Sequence, residues 1–259
     1  MPSLEAAKPD RAPERSADFD PVEEARRRLI VALDTPSAAA AEALVGRLQG
    51  SCRWVKVGLE LFIAAGPAIL EPLQKRGLSI FLDLKLHDIP NTVAAAVGSA
   101  AALGAQMLTL HAAGGPAMLA AARSALEGLA HPPQLLAVTV LTSMDSTQLL
   151  AAGISRQPAD QVELLARVAL QAGLRGFVCS PLETARVRAL AGPDAVLVVP
   201  GIRPAGADAG DQKRVATPAE ALRSGASYLV VGRPIAQSAD PAAAAEAIIG
   251  EMATALRGA

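Results

Sequence analysis

The stretch Ser79-Ile-Phe-Leu-Asp-Leu-Lys-Leu-His-Asp-Ile-Pro-Asn-Thr92 passes from an apolar run into a dense group of charges. Its first half is short, apolar and partly aromatic, which predicts a buried β-strand. Because side chains alternate between the two faces of a strand, Asp83 and Lys85 are expected on one face. Leu84 and Leu86 are expected on the opposite, apolar face. A carboxylate and an ammonium at the end of a buried strand are costly unless they are paired. They form either a structural ion pair or part of a functional site.

A second carboxylate, Asp88, follows the lysine by three residues. It lies just before Ile89-Pro90, in the predicted loop between the strand and a helix. Its ordinary role there would be a helix N-cap, because proline suits the first helical turn. Three charged side chains at one strand end are nevertheless more typical of a functional site than of an isolated ion pair.

Strand-like and helix-like segments alternate along the chain from Leu29 onward. The strand-like segments are nearly continuous apolar runs, as expected for a parallel sheet that is buried on both faces. Eight strands with eight helices predict a single-domain α/β fold, the (β/α)8 TIM barrel, over residues 29–259. The predicted helices include one continuous helix over Leu59–Arg76. The predicted strands are Leu29–Leu33, Trp54–Gly58, the stretch that begins at Ser79, Gln106–His111, Gln134–Leu141, Gly176–Ser180, Val196–Val199 and Tyr228–Val231.

Composition argues against several classes of function. The net charge is −1, the isoelectric point is about 6.3 and aromatic residues make up 2% of the chain, so neither a basic stripe nor a stacking platform for nucleic acid is expected. The two cysteines, Cys52 and Cys179, fall in or beside predicted strands and are expected to be free and buried. Residues 1–28 contain no apolar signal core, which predicts a disordered N-terminal extension and a cytoplasmic protein. The last part of this extension, Pro21–Leu29, can form a short helix.

Polar side chains collect at the ends of the predicted strands, where barrels of this kind carry their active sites. They are Asp34, Lys56, Asp83, Lys85, Asp88, His111, Thr142, Ser143, Arg203, Gln212 and Arg233. Each has an ordinary alternative role: Asp34 can cap a helix, and His111 can be a satisfied core histidine. These roles do not explain why so many polar side chains fall on one rim. The chain has only five lysines, and two of them fall there, which favours a compact proton donor.

The last two strands carry the features of a phosphate site. Gly232 and Arg233 follow strand eight and Gly201 follows strand seven, so backbone can approach a phosphate while the guanidinium binds its oxygens. The loop from Gly201 to Val215 is rich in Gly and Pro, and it carries Arg203 and Gln212. This composition is typical of a mobile lid.

These motifs resemble the orotidine 5′-phosphate decarboxylase family, and most of all its common bacterial subgroup. The resemblance covers Leu29 to the C-terminus and leaves the first 28 residues outside. The stretches that carry it are Ala32-Leu-Asp34, Trp54-Val-Lys-Val-Gly58, Phe81-Leu-Asp-Leu-Lys-Leu-His-Asp-Ile-Pro-Asn-Thr92, Thr139-Val-Leu-Thr-Ser-Met144, Pro200-Gly-Ile-Arg203, Gly210-Asp-Gln212 and Val231-Gly-Arg233.

The resemblance implies conversion of orotidine 5′-phosphate to uridine 5′-phosphate (UMP) and CO2, the last step of de novo pyrimidine biosynthesis, without cofactor or metal. Lys85 would be the catalytic proton donor, with Asp83 and Asp88 as the other catalytic residues. The substrate-binding residues that it implies fall into three groups. Asp34 and Lys56 would bind the ribose, joined by Asp88 and Thr92 of the partner subunit. Thr142 would lie at the pyrimidine. The phosphate would be bound by Arg203, Gln212, Gly232 and Arg233. Asp83 would lie beside the substrate carboxylate.

Two other functions stay open from the residues alone. Metal-dependent sugar-phosphate decarboxylases and aldolases of the same barrel group resemble the chain at Asp-x-Lys-x-x-Asp, but they carry a glutamate metal ligand where this chain has Lys56. An ammonium at that position would repel Mg²⁺, which prefers oxygen ligands. A non-catalytic nucleotide-binding barrel is the second alternative, although it would need no paired lysines in its mouth.

An uncharged span predicts how the chain associates. From Ile89 to Ala122 there is no Asp, Glu, Lys or Arg, whereas outer barrel helices normally carry charge on their solvent face. Membrane insertion is the competing explanation, but the apolar stretch is too short and is interrupted at Gly114-Gly-Pro116. Burial against a second subunit fits better, so the sequence predicts a homodimer with no membrane or nucleic-acid partner. Asp88 and Thr92 lie where this span meets the barrel mouth.

Overall fold

The computed structural model describes residues 19–204 and 214–258. The predicted disorder of the N-terminal extension falls largely on residues 1–18, which lie outside the described residues. Gln212, predicted at the phosphate, also lies outside them.

Eight short parallel strands pair in sequence order and close into a barrel. The ring closes where β1 pairs with β8 as well as with β2. This arrangement confirms the predicted (β/α)8 barrel. The strands are β1 (Leu29–Ala32), β2 (Trp54–Gly58), β3 (Ser79–Leu86), β4 (Met107–His111), β5 (Gln134–Val138), β6 (Gly176–Val178), β7 (Val196–Val199) and β8 (Tyr228–Val231).

Helices follow the strands and surround the barrel. Two of them, the short helices after β5 and β8, were not predicted from the sequence. In the described residues the α-helices are α1 (Pro21–Arg28), α2 (Ala38–Leu48), α3 (Leu59–Ala65), α4 (Leu70–Lys75), α5 (Pro90–Ala102), α6 (Gly115–Ser124), α7 (Ser146–Ala151), α8 (Pro158–Gln171), α9 (Thr184–Ala191), α10 (Pro218–Arg223), α11 (Arg233–Ala236) and α12 (Pro241–Arg257).

The prediction of one continuous helix over Leu59–Arg76 is wrong. Gly66 has φ +65°, a left-handed conformation that ends α3, and Pro67 then starts a 3-10 turn before α4. Glycine adopts this conformation without steric cost, and proline cannot donate the hydrogen bond that a continuing helix needs.

Strands β5 and β6 end earlier than predicted, at Val138 and Val178. Both the backbone N–H and the hydroxyl of Thr139 donate to the carbonyl of Val178, so the chain leaves the regular ladder there. The apolar residues beyond Val138 belong to the loop, which brings Thr142 toward the barrel mouth.

The apolar core has two layers. Seven buried side chains fill the inside of the barrel, and a larger cluster lies between the strands and the helices. The inner cluster consists of Ile30, Ala32, Phe81, Met107, Leu136, Val198 and Val230. Both cysteines are free and buried, as predicted. In the two described ranges, no helix has the length and apolar character needed to cross a membrane.

The short helix predicted before β1 is present as α1. The carboxylate of Asp20 caps its first turn, and Ala25 is fully buried. Arg26 forms an ion pair with Glu246 of α12. The described chain therefore packs on the barrel from a point upstream of Leu29.

Candidate active site

A cavity of about 460 Å³ opens at the carboxyl ends of the strands. Its floor is apolar and includes Phe81, Val198 and Val230 from the inner cluster. Eight of the predicted site residues line it together. They are Asp34, Lys56, Asp83, Lys85, Thr142, Arg203, Gly232 and Arg233. A cavity of this size, with an apolar floor and few polar groups, suits a small ligand.

Four charged side chains of alternating sign run across one side of the cavity. Lys56 Nζ lies 2.9 Å from Asp34 Oδ1 and 3.5 Å from Asp83 Oδ2. Lys85 Nζ donates to both carboxylate oxygens of Asp83, each at 2.9 Å. Asp83 is therefore flanked by two ammonium groups, which offsets the cost of burying its charge.

The environment keeps Asp83 and Lys56 charged. Burial alone would raise the pKa of Asp83, but the ammonium groups of Lys56 and Lys85 and the hydrogen bonds from Lys85 and Thr109 hold it below its ordinary value. Burial alone would lower the pKa of Lys56, but Asp83 and Asp34 raise it above its ordinary value. The cavity thus presents fixed charges of both signs at neutral pH.

A local irregularity in β3 brings Lys85 to Asp83. Leu82 pairs with Leu108 and Leu86 pairs with Leu110, so three residues of β3 face one residue of β4. Lys85 has φ +50°, which is unusual for a residue with a side chain. The regular alternation expected from the sequence does not hold here, although Leu84 and Leu86 do pack on the outer apolar cluster as predicted. The bulge, and not simple alternation, sets the geometry of the ion pair.

Asp88 and Thr92 do not line the cavity of their own chain. Both are exposed, in the β3–α5 connection and the first turn of α5. The Asp88 carboxylate accepts from the backbone N–H of Ile89, and Ile89 is the N-cap residue of α5. Among the described residues, Lys85 pairs with Asp83 and not with Asp88. Both residues therefore lie outside the cavity of their own chain.

His111 lies at the end of β4, half-buried, with its ring centroid 5.4 Å from that of His87. Burial lowers the pKa of His111, and the nearby His87 and Lys85 lower it further. Neither His111 nor Ser143 lines the cavity. The ordinary role of a core histidine therefore fits His111 better than ligand binding.

The phosphate features predicted at strands seven and eight meet at one end of the cavity. Gly201 has φ +81°, a backbone conformation that favours glycine, and Arg203 is buried beside it. The N–H of Arg203 donates to the carbonyl of Ala216, which brings together the two ends of the loop that contains residues 205–213. Arg233 starts α11 directly after β8. Arg203 and Arg233 thus both line the cavity.

Gly58, at the end of β2, is a site residue that sequence reasoning missed. A Cβ atom built there would lie 2.8 Å from Lys56 Nζ and 3.2 Å from Asp34 Oδ1. Only a residue without a side chain leaves room for this ion pair in its present position. No sequence signal distinguished this glycine from one that ends a strand.

Arg214, within the loop from Gly201 to Val215, is a second residue that sequence reasoning missed. It is buried, with Nη1 2.8 Å from Glu183 Oε1. Its Nη2 donates to the carbonyls of Val140 and Leu141, at 3.2 and 2.8 Å. These hydrogen bonds connect Arg214, just after residues 205–213, to the segment that carries Thr142.

Comparison with known proteins is consistent with this geometry. Residues 27–248 match the family described as orotidine 5′-phosphate decarboxylase / HUMPS. A curated orotidine 5′-phosphate decarboxylase of Moorella thermoacetica is 53% identical over 88% of this chain and 93% of its own length. That of Anaeromyxobacter dehalogenans is 55% identical over 85% of this chain and 96% of its own length.

A solved structure gives the same result. The crystal structure of orotidine 5′-phosphate decarboxylase from Lactobacillus acidophilus superposes with a TM-score of 0.76 at 40% identity, and the match covers 87% of this chain and 99% of that chain. The family match spans every strand of the barrel and each cavity residue. The chain belongs to the orotidine 5′-phosphate decarboxylase / HUMPS family.

Proposed function

We propose that the chain decarboxylates orotidine 5′-phosphate to UMP and CO2. One observation carries the proposal: the Lys85 ammonium is held on both oxygens of Asp83 in a cavity that Arg203 and Arg233 also line. The names of the relatives, which share more than half of their aligned residues with this chain, support it.

The reaction leaves an electron pair on C6 of the pyrimidine. The bond between C6 and the carboxylate breaks, CO2 departs, and the pair stays on C6 because the ring offers no electron sink. A fixed cation beside that carbon stabilises the developing charge. Lys85 Nζ supplies this cation and then transfers a proton to C6, which yields UMP. The neutral amine regains its proton from solvent.

Asp83 has two roles in this scheme. Its two carboxylate oxygens accept hydrogen bonds from Lys85 Nζ and aim the ammonium into the cavity. It also lies where the substrate carboxylate would approach, so like-charge repulsion raises the energy of the bound substrate more than that of the transition state, in which the carboxylate is leaving as CO2. UMP has no such carboxylate and escapes this repulsion.

The rest of the cavity would hold the parts of the nucleotide that do not react. Asp34 and Lys56 offer an acceptor and a donor for the ribose hydroxyls, and Thr142 offers a hydroxyl to the pyrimidine. Arg203 and Arg233 would bind the phosphate, with Gly232 allowing close approach. Gln212 is proposed there from the resemblance alone. Phosphate binding far from C6 would supply the energy that fixes the substrate over Lys85.

The experiment that tests this function is an assay of the purified protein with orotidine 5′-phosphate, with and without EDTA. We expect one UMP and one CO2 per substrate consumed, at a rate that EDTA does not change. Loss of activity in EDTA that Mg²⁺ restores would favour the metal-dependent alternative. Tight binding of the nucleotide without release of CO2 would favour the non-catalytic barrel.

We also propose a homodimer with shared active sites. The uncharged helix α5 exposes small residues, among them Ala95 and Ser99, and Ile89 just before it is 67% exposed. Helix α3, which follows the neighbouring strand β2, exposes Ile63 at 79%. Such apolar exposure is typical of an interface between copies. Asp88 and Thr92 lie at the edge of this surface, from which they could reach a neighbouring cavity.

Mixed inactive chains should regain activity if the sites are shared. In a dimer of a Lys85→Ala chain with an Asp88→Ala chain, one site combines the intact Lys85 of one chain with the intact Asp88 of the other. We therefore expect decarboxylation to appear when the two inactive proteins are unfolded together, refolded and assayed. A mixture of Lys85→Ala with the Lys85→Ala/Asp88→Ala double variant is the control, because it contains no intact site.

Two results would overturn the shared-site proposal. One is a monomer by sedimentation at the concentration of the assay. The other is a heterodimer, demonstrated with two different affinity tags, that stays inactive. The cytoplasmic location stays a prediction from the sequence.

A further inference from the structure

Strand β4 carries a polar side chain, Thr109, in the middle of an apolar run. Its neighbours Leu108 and Leu110 are fully buried, and so is Thr109 itself. A buried hydroxyl needs hydrogen-bond partners, because water cannot satisfy it. The partners of this hydroxyl lie in the candidate active site.

The Thr109 hydroxyl makes two hydrogen bonds to β3. Oγ1 accepts from the backbone N–H of Lys85 at 2.8 Å, and it donates to Asp83 Oδ1 at 2.9 Å. A hydroxyl has one donor and two acceptor positions, so both bonds form at once. A single oxygen atom therefore holds the backbone of the proposed proton donor and the carboxylate that pairs with its side chain.

The bulge in β3 explains why a side chain is needed there. Residues 83–85 all face Thr109, because the pairing of β3 with β4 passes from Leu82–Leu108 directly to Leu86–Leu110. In a regular parallel ladder the Lys85 N–H would donate to a backbone carbonyl. The bulge removes that partner, and the threonine hydroxyl replaces it. Lys85 stays at φ +50°, a conformation that persists only where surrounding contacts hold it.

We propose that Thr109 is a positioning residue for the decarboxylation, in that its hydroxyl locks the β3 bulge so that Lys85 Nζ and the Asp83 carboxylate face the reacting carbon as a fixed pair. The proposal rests on the proposed function. Thr109 does not line the cavity and would not touch the nucleotide. Asp34 and Arg233, which would bind the ribose and phosphate, follow β1 and β8, and neither of these strands pairs with β4. Loss of the Thr109 hydroxyl should therefore affect the chemical step more than nucleotide binding.

Three substitutions separate the hydroxyl from the bulk of the side chain. Thr109→Val keeps the branched shape and removes the hydroxyl, whereas Thr109→Ser keeps the hydroxyl and removes a methyl group. Thr109→Cys matches the serine variant in shape, but its thiol is a much weaker hydrogen-bonding group. The measurements are kcat, KM and the dissociation constant for UMP, each on the dimeric, folded protein.

We expect Thr109→Val to lower kcat by about 10- to 100-fold, since small misplacements of reacting groups have effects of this size. KM and the UMP dissociation constant should change by less than about threefold, because the contacts that bind the ribose and phosphate are retained. Thr109→Ser should retain kcat within about threefold of wild type, and Thr109→Cys should fall well below Thr109→Ser.

The inference is overturned if folded Thr109→Val turns over as fast as wild type, or if the valine and serine variants lose kcat equally, which would show a role in packing. If Thr109→Val does not fold, the serine and cysteine variants decide: equal kcat values for these two overturn the inference. Failure of the proposed function gives a different result, because wild type itself would then release no CO2 from orotidine 5′-phosphate.

Discussion

Lys85→Ala should abolish nearly all decarboxylation of orotidine 5′-phosphate. Loss of a positioned acid typically costs 10²–10⁴-fold in rate, and Lys85 also supplies the cation beside C6, so we expect kcat to fall by about 10⁴-fold or more. UMP should still bind, because Arg203 and Arg233 would bind its phosphate. Lys85 is paired with Asp83 and takes no part in that contact. The measurement is kcat by single-turnover assay, together with UMP affinity by calorimetry.

A matched control for Lys85→Ala is Lys75→Ala. Lys75 lies on the outside of the barrel in α4, with its side chain 72% exposed and paired with Glu71. Its loss should leave kcat unchanged. The proton-donor role would be contradicted by a folded Lys85→Ala protein that keeps about a tenth of wild-type turnover, since a positioned acid contributes far more than this.

Arg233→Ala should lower kcat/KM severely by removing part of the phosphate contact. If the guanidinium makes two charge-assisted hydrogen bonds, each contributes about 1.5–3 kcal/mol, which corresponds to a loss of about 10²–10⁴-fold. The loss should disappear with the nucleoside orotidine, which lacks the phosphate, so that wild type and variant become equally slow. The measurement is kcat/KM for both substrates on both proteins.

Arg223→Ala provides the control for this second prediction. Arg223 is exposed on α10, and it does not line the cavity. An Arg233→Ala protein with wild-type kcat/KM would show that the phosphate lies elsewhere. An equal loss on orotidine and on its phosphate would instead show that the substitution damages the reacting end of the site.

The barrel and most of the cavity could be predicted because they depend on local patterns. Apolar runs at regular intervals give the strands, and polar residues at strand ends converge wherever parallel strands close into a barrel. Asp83 and Lys85 follow this rule, and so do Asp34 and Arg233. The break at Gly66-Pro67 was missed although the sequence carries a signal for it, since a glycine before a proline commonly ends a helix.

Other parts of the site depend on contacts between distant segments, which a single sequence does not show. The β3 bulge arises from register against β4, so neither the left-handed backbone of Lys85 nor the role of Thr109 could be inferred from the order of residues. The buried pair of Arg214 and Glu183 joins segments 31 residues apart in sequence. Gly58 matters because of the ion pair beside it, and not because of its own backbone angles.

The central claim is that the Asp83–Lys85 pair faces C6 of a bound nucleotide, and a crystal structure of the protein with UMP tests it most directly. We predict C6 within about 3–3.5 Å of Lys85 Nζ, the separation of groups poised to react. The phosphate should lie on Arg203 and Arg233, and Asp88 and Thr92 of the partner subunit should lie at the ribose. UMP bound with its phosphate at the lysines, or with its base away from Lys85, would contradict the account.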